Sequence, residues 1–219
     1  ASTVLLTSRI EAAGARSTRI YYRRTLWLLV FGLLHAYLIW YGDILVWYSI
    51  CGFLIYFFRK LSPLKLFIIG LILVAFGSAI SLGAGWSMPY WPPSEIEKLK
   101  NEHWAPPPEA IAAEIRAYQG GWLEQMPHRV KVAFALHSLG IWFLGLWRVG
   151  GLMLIGMALF KWEVFSARRS LAFYATMVLL GFSIGLPMIW SGIRYNFAHD
   201  WDIHYSMFFG DQYNYWGSL

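Results

Sequence analysis

The chain has 219 residues, of which 58% are apolar and only 14% are charged. Because a soluble globular domain carries about 25% charged residues, this composition excludes an ordinary soluble domain and predicts an integral membrane protein. The net charge of +6 does not indicate nucleic-acid binding, since the basic residues flank hydrophobic segments, where they set membrane orientation and contact anionic lipid headgroups. The single cysteine, Cys51, excludes an intramolecular disulfide.

Hydrophobic segments, taken in chain order, predict an all-α fold in which residues 1–219 form one polytopic transmembrane helical bundle. The predicted spans are residues 26–41, 44–58, 64–82, a fourth within 132–160, and 171–193. The fourth segment is longer than a perpendicular crossing requires at about 1.5 Å per residue, so we expect it to tilt or to begin in the interface. Residues 195–215 are aromatic and polar and would lead into a sixth span, so we expect a fragment of a longer bundle.

Small residues four apart occur in two places, a pattern that allows another helix to approach closely. They are Gly77, Ser81 and Gly85, in and just after the third span, and Gly181 and Gly185 in the fifth. We interpret the Gly150-Gly151 pair as helix packing, because no nucleotide-binding glycine motif surrounds it.

Residues 87–131 form a long polar stretch between the third and fourth segments, and we expect it to be an extracytoplasmic loop. Two proline-rich sites make its beginning irregular. Within it, Glu109–Tyr118 has the periodicity of a short amphipathic helix, with Ile111 and Ile115 on one face. The pair Gly120-Gly121 is predicted to end this helix.

Basic residues predict the orientation of the bundle. They cluster before the first span, between the second and third, and between the fourth and fifth: Arg9, Arg16, Arg19, Arg23, Arg24; Arg59, Lys60, Lys65; Lys161, Arg168, Arg169. All three clusters fall on one side if five spans alternate, and positively charged connections are cytoplasmic. We therefore expect a bacterial inner-membrane protein whose residues 1–24 are cytoplasmic.

Two ionisable side chains lie within hydrophobic segments. His35 is inside the first predicted span and Arg148 is inside the fourth. An ionisable group in a membrane helix is a candidate functional residue, because it rarely faces lipid. We predict that His35 and Arg148 line one outward-opening cavity. The alternatives are a neutral His35 bonded to a neighbouring helix and an Arg148 whose long side chain reaches the outer interface.

Asp43 is the one acid in the first two spans, at the tip between them. The simpler interpretation is that it caps the second helix, since aspartate accepts hydrogen bonds from the free amides at a helix start. The functional interpretation is that it pairs with Arg148 or orients His35. We therefore predict catalytic roles for His35 and Asp43, and substrate-binding roles for Arg148, His137 and Trp40.

The segment His199–His204 contains two histidines and two aspartates. These are possible metal ligands, but no second cluster completes a site of known spacing. We predict no metal site and no tightly bound cofactor.

Several motifs resemble the YeiB-type family of bacterial multi-pass membrane proteins, whose conserved domain is of unknown function. The resemblance is most specific from His35 to Pro63 and rests on these stretches: YRRTLWL (22–28), FGLLHA (31–36), WYGDIL (40–45), YSICG (48–52), FRKLSP (58–63) and GLMLIGMAL (151–159). It implies a longer parent protein with further helices on either side. It also implies a distant relation to the transmembrane acyltransferase superfamily.

Three functions follow as hypotheses. In the first, the resemblance implies an acyltransferase-like protein that uses a cosubstrate such as acyl-CoA. His35 would then be the general base on an acceptor hydroxyl, and Arg148 would hold an anionic donor. In the second, the same residues line the path of a small-molecule transporter. In the third, the protein is a non-catalytic membrane scaffold.

Overall fold

The structure, a computed structural model, describes residues 2–219, apart from the side chains of Leu139, Phe143 and Leu144. Within this part, the chain is helical throughout and contains no strand. Its α-helices are α1 (Ser2–Ala12), α2 (Ser17–Leu34), α3 (Leu45–Ile55), α4 (Pro63–Ser87), α5 (Pro93–Leu99), α6 (Pro108–Gln119), α7 (Trp122–Ala135), α8 (Leu146–Lys161), α9 (Leu171–Ala198) and α10 (Asp211–Gly217). Wider π-helical segments occur at His35–Ile39, Lys100–Trp104, Leu136–Gly145 and His204–Gly210. The prediction of an all-α fold is confirmed.

Local sequence signals explain several helix boundaries. Helix α4 begins at Pro63, because proline has no amide hydrogen to lose in the first turn and its fixed φ suits a helix start. At the start of α9, the Ser170 hydroxyl accepts a hydrogen bond from the Phe173 amide, as an N-cap serine should. The amphipathic helix predicted at Glu109–Tyr118 is present as α6, and it ends immediately before Gly120.

The membrane-span prediction is supported only in part. Two helical stretches are long and apolar enough to cross a bilayer, Pro63–Tyr90 and Leu171–Ala198. A third crossing is possible if Trp122–Trp142 and Leu146–Lys161 form one span bent by 63°. The first two predicted spans do not qualify, because α2 includes the basic stretch before its apolar part and the apolar helix Leu45–Phe58 is too short, at about 21 Å. Five spans therefore stay a prediction.

The fourth hydrophobic segment differs from its prediction. Its helix begins at Trp122, ten residues before the predicted start, and it bends instead of tilting as one rod. The bend falls at the end of the π-helical segment Leu136–Gly145, and such segments are common causes of sharp helix kinks. The last part of the polar stretch 87–131, which was expected to be loop, is therefore helical and belongs to α7.

The chain divides into two compact units. The first unit comprises Ala1–Gly77 and Glu114–Arg168, and the second comprises Ser78–Ala113 and Arg169–Leu219. The buried core of the first unit consists of residues from α3, α4 and α8: Ile55, Leu66, Leu154, Met157 and Ala158. Helices α4 and α8 touch through backbone, because a methyl group added at Gly70 would lie 2.7 Å from the carbonyl oxygen of Gly151. This contact confirms the packing role predicted for Gly151.

The second unit is also held by close helix contacts. A methyl group added at Gly85 would lie 2.7 Å from Phe208 Cβ, so part of the predicted small-residue stripe does pack against another helix. Beside it, the Ser78 hydroxyl donates to Gln212 Oε1 at 2.5 Å, and the Trp216 indole donates to the Ser78 hydroxyl at 3.0 Å.

The glycine pair predicted in the fifth span packs at one of its two positions. Gly185 lies against Gly217 of α10, while nothing lies within 4 Å of a methyl group added at Gly181. Close approach of α9 to α10 therefore depends on Gly185.

Candidate functional site

The candidate site lies in the first unit, where α2 continues into the π-helical segment His35–Ile39 and the chain turns back into α3. This turn brings His35 and Asp43 together, with 2.8 Å between His35 Nδ1 and Asp43 Oδ1. The Asp43 side chain is 1% exposed, whereas the His35 side chain is 36% exposed. A buried carboxylate thus holds an imidazole whose other edge remains accessible.

Asp43 has both of the roles that the sequence left open, capping of the second helix and orientation of His35. Its second oxygen, Oδ2, accepts a hydrogen bond of 2.9 Å from the Val46 amide in the first turn of α3, so the side chain satisfies one of the free amides at a helix start. Its first oxygen holds His35. Of the two functional roles considered for Asp43, the structure shows the orientation of His35, and the pairing with Arg148 stays a prediction.

The arrangement fixes which ring nitrogen of a neutral His35 carries the proton. An ionised carboxylate only accepts hydrogen bonds, so Nδ1 must be the donor to Asp43. The Nε2 atom then carries a lone pair, and the side-chain hydrogen bond of His35 to a described residue is the one from Nδ1 to Asp43. An imidazole oriented by a carboxylate, with its far nitrogen free, can accept a proton from a substrate hydroxyl.

Two further predicted site residues lie next to this pair. The Trp40 indole meets the His35 ring edge to face, with 6.3 Å between ring centroids, and it also covers Gly42, where a methyl group would lie 2.5 Å from the indole. His137 lies beside Asp43 and contacts the Tyr37 ring at 5.9 Å between centroids. Four of the five predicted site residues therefore share one region.

His137 has an unusual feature for a buried imidazole. Both of its ring nitrogens are inaccessible to solvent, and neither makes a hydrogen bond of good geometry to another described residue. Buried polar atoms are nearly always paired with protein or ordered water. The polar group that faces the ring is the backbone of Asp43.

Arg148 lies in the first turn of α8 and is half-buried. Its predicted place in one cavity with His35 stays a prediction.

Sequence reasoning missed Trp122 and Arg129, which lie on α7. The Trp122 indole donates to the Leu38 carbonyl at 2.8 Å, and the Arg129 guanidinium donates to the Ile39 carbonyl. The available signal was indirect: the last carbonyls of a helix need donors from elsewhere. Spacing along the chain gives no indication that these donors come from more than eighty residues away.

The histidines of the second unit have other partners. His199 Nδ1 bonds to the Tyr195 carbonyl and His204 Nε2 bonds to the Gly85 carbonyl, each at 2.8 Å. Across residues 2–219, no group of three His, Cys, Asp or Glu side chains is placed to hold a metal ion.

Known proteins offer two similarities. The uncharacterized protein YeiB of Escherichia coli (strain K12) is 28% identical over 181 residues, which cover 80% of this chain and 44% of YeiB. The uncharacterized protein YxaH of Bacillus subtilis (strain 168) is 46% identical over 65 residues, which cover 30% of this chain and 16% of YxaH. This chain thus spans less than half the length of either curated relative.

These similarities confirm the resemblance at a coarse level. The chain is a distant homologue of YeiB. No family model matches it, and no solved structure matches it. Neither relative's description states an activity, so the relation to acyltransferases stays a prediction.

Proposed function

We propose that this chain is part of a multi-pass bacterial inner-membrane protein in which the His35–Asp43 pair is the general base of an acyl transfer to a hydroxyl group. The observation that carries the proposal is the 2.8 Å bond from His35 Nδ1 to the buried Asp43 carboxylate, which leaves Nε2 as the acceptor. The acceptor substrate is extracytoplasmic or lipid-linked, and the donor is an acyl thioester such as acyl-CoA.

In this reaction His35 Nε2 takes the proton of the acceptor hydroxyl while its oxygen attacks the acyl carbonyl carbon. A new C–O bond forms, the C–S bond of the thioester breaks, and the thiolate leaves. The proton held on His35 returns to the leaving thiolate, so no oxidant or reductant is needed. Asp43 stabilises the imidazolium that exists between these two transfers, because its negative charge is buried beside the ring.

The remaining site residues have assigned roles in binding. His137, which lies beside Asp43, supports the acceptor side of the site. Trp40, whose indole meets the His35 ring edge to face, contacts the acceptor substrate. Arg148 binds the anionic part of the donor, since a guanidinium recognises phosphate groups by paired hydrogen bonds.

The topology belongs to the same proposal. We place five crossings in the membrane, with residues 1–24 and the other two basic clusters on the cytoplasmic side, where they contact anionic lipid headgroups. The additional helices of a longer parent protein would pack against this bundle. Cysteine labelling from each side of the membrane, at exposed Ser8 and at exposed Asn101, tests this orientation in a Cys51→Ala background. Labelling of both positions from the same side would contradict it.

The activity is tested with the protein reconstituted in lipid vesicles and supplied with radiolabelled acetyl-CoA or palmitoyl-CoA and inner-membrane lipid extract. We expect radiolabel in an ester product for the wild type, and a loss of about 10²–10⁴-fold in rate for His35→Gln, the usual contribution of a general base. His103→Gln is the matched control, because His103 is exposed in the second unit. Equal rates for wild type and His35→Gln would refute the role of His35.

A transporter is the second candidate, and one observation favours it. Two imidazoles, His35 and His137, adjoin the single carboxylate Asp43, and such groups carry protons in coupled transporters. Uptake of a substrate into protein-containing vesicles without acyl donor, driven by an imposed proton gradient and abolished by Asp43→Asn, would support transport instead. If ester synthesis and transport are both absent from the wild type, the scaffold hypothesis remains.

A further inference from the structure

The end of the helix that carries His35 has an unusual backbone arrangement. The π-helical segment His35–Ile39 closes where the Trp40 amide donates to the His35 carbonyl at 2.8 Å. Beyond this bond the chain turns toward Asp43, so the carbonyls of Leu38 and Ile39 have no helical amide to bond. An unpaired carbonyl is costly in an apolar environment.

Helix α7 supplies both missing donors. The Trp122 indole N–H donates to the Leu38 carbonyl at 2.8 Å, and Arg129 Nη1 donates to the Ile39 carbonyl. Arg129 is itself held in place, because its Nη2 donates to Gln125 Oε1 at 2.6 Å. A cation at the carbonyl end of a helix is also favoured by the helix dipole.

We infer that Trp122 and Arg129 are positioning residues that hold the π-helical segment in the geometry that points His35 at Asp43. The inference rests on the proposed function for its catalytic meaning, but the orientation of the His35 ring can be measured without any acyl transfer. It assigns α7, at the end of the polar stretch, to the candidate site.

The geometric reason lies in the extra residue of a π-helical turn. Such a turn bonds each amide to the carbonyl five residues earlier, one more than an α-helix. If the segment returned to regular α-helix, the residues on its two sides would rotate relative to one another by about 100°, the angle per residue of an α-helix. His35 is the first residue of this segment, whereas Asp43 is fixed from the other side by the Val46 amide. A rotation between them would take the imidazole off the carboxylate.

The two donors bond to adjacent carbonyls and differ in chemistry, so the effect of removing each one can be measured separately. Trp122→Phe removes only the indole N–H and keeps an aromatic ring. Arg129→Gln removes the charge, and Arg129→Lys keeps it without the planar pair of donors. Lys131→Gln is the matched control, because Lys131 is an exposed cation on the same helix.

The experiment is ¹⁵N NMR of histidine-labelled full chain in lipid nanodiscs, at about pH 9, where unperturbed imidazoles are neutral. The His35 signals are identified by their loss in His35→Gln. In the wild type and in Lys131→Gln we expect one tautomer, protonated at Nδ1 and unprotonated at Nε2. In Trp122→Phe, Arg129→Gln and Arg129→Lys we expect a mixture of both tautomers.

Acyl transfer gives a second measurement. We expect kcat to fall at least about tenfold in Trp122→Phe and Arg129→Gln, with the KM for the acyl donor unchanged, since neither residue is proposed to bind the donor.

A wild-type tautomer pattern in all three α7 variants would overturn the inference, whatever happens to activity. Loss of the pattern in Lys131→Gln as well would also overturn it, because it would show a general loosening of α7. If the wild type shows the expected tautomer but forms no ester, the proposed function is refuted. The positioning role is then decided by the tautomers of the three α7 variants.

Discussion

Two histidines of this protein begin π-helical segments, but they have different partners. In the first unit His35 donates from Nδ1 to a buried carboxylate, and in the second unit His204 bonds through Nε2 to the Gly85 carbonyl. Both bonds fix a tautomer. The carboxylate is negatively charged and stabilises a positive charge on the ring more strongly than a carbonyl does, so His35 is suited to receive a proton. His204 holds the end of α4 to the segment that follows α9.

The largest expected difference is between His35→Gln and His204→Gln. We expect His35→Gln to lower the rate of acyl transfer by about 10²–10⁴-fold without reducing the yield of folded protein. We expect His204→Gln to leave the rate within about threefold, and to reduce thermal stability because a buried carbonyl loses its donor. Rate measurements and thermal unfolding followed by tryptophan fluorescence check both. An equal loss of rate in the two variants would remove the distinction between them.

Two substitutions of Asp43 distinguish its role as a helix cap from its role as a negative charge beside His35. Asp43→Asn keeps an oxygen for the Val46 amide but cannot stabilise an imidazolium, so we expect the rate to fall by about 10²-fold or more with little loss of stability. Asp43→Ala removes the cap as well, and it should cost a further ~0.5–2 kcal/mol in the free energy of unfolding. Full activity in Asp43→Asn would mean that the carboxylate serves only as a cap.

Two glycines on α4 test the structural role assigned to the His204 region. Gly85→Ala would bring a methyl group to 2.7 Å from Phe208 Cβ, while Gly83→Ala meets nothing within 4 Å. We expect Gly85→Ala to destabilise the protein by ~1–3 kcal/mol and Gly83→Ala to be neutral or to stabilise it by up to ~1 kcal/mol. Neither should alter the His35 tautomer measured by NMR. A similar stability for both variants would show that the helices move apart without cost.

The smallest effect concerns a carboxylate that has no histidine partner. Glu11 accepts a 2.6 Å hydrogen bond from the Ser17 hydroxyl, and Arg59 lies 3.4 Å away. These contacts, the Ser17 bond first, hold the pKa of Glu11 below its ordinary value. Because the folded-state pKa is lowered, the stability that Glu11 contributes is present above the unfolded-state pKa and is lost as the pH falls through the folded-state pKa. Unfolding midpoints compared between pH 6 and pH 3 should therefore decrease slightly more for wild type than for Glu11→Gln, and identical decreases would contradict this.

Much of the local structure could be predicted from the sequence because its causes are local. Pro63 starts a helix and Gly120 follows the end of one. His35 and Asp43 could be nominated singly, since an ionisable group in an apolar helix needs a partner, and eight residues of separation across a tight turn made their contact plausible.

The features that could not be predicted depend on contacts distant in sequence. The docking of α7 at the end of the His35 segment follows from backbone carbonyls that need donors, and a carbonyl is the same at every position of a sequence. The crossing of α4 and α8 at Gly70 and Gly151 could be predicted only in part. Gly151 was identified as a packing residue, but the spacing of residues along the chain does not indicate that its partner is Gly70.

The indole that borders His35 gives the site an optical property. A protonated imidazole close to an indole quenches its fluorescence, and Trp40 meets the His35 ring edge to face at 6.3 Å. We therefore expect the part of the emission that is lost in Trp40→Phe to decrease when His35 is protonated, and fluorescence measurements on both proteins in lipid vesicles check this.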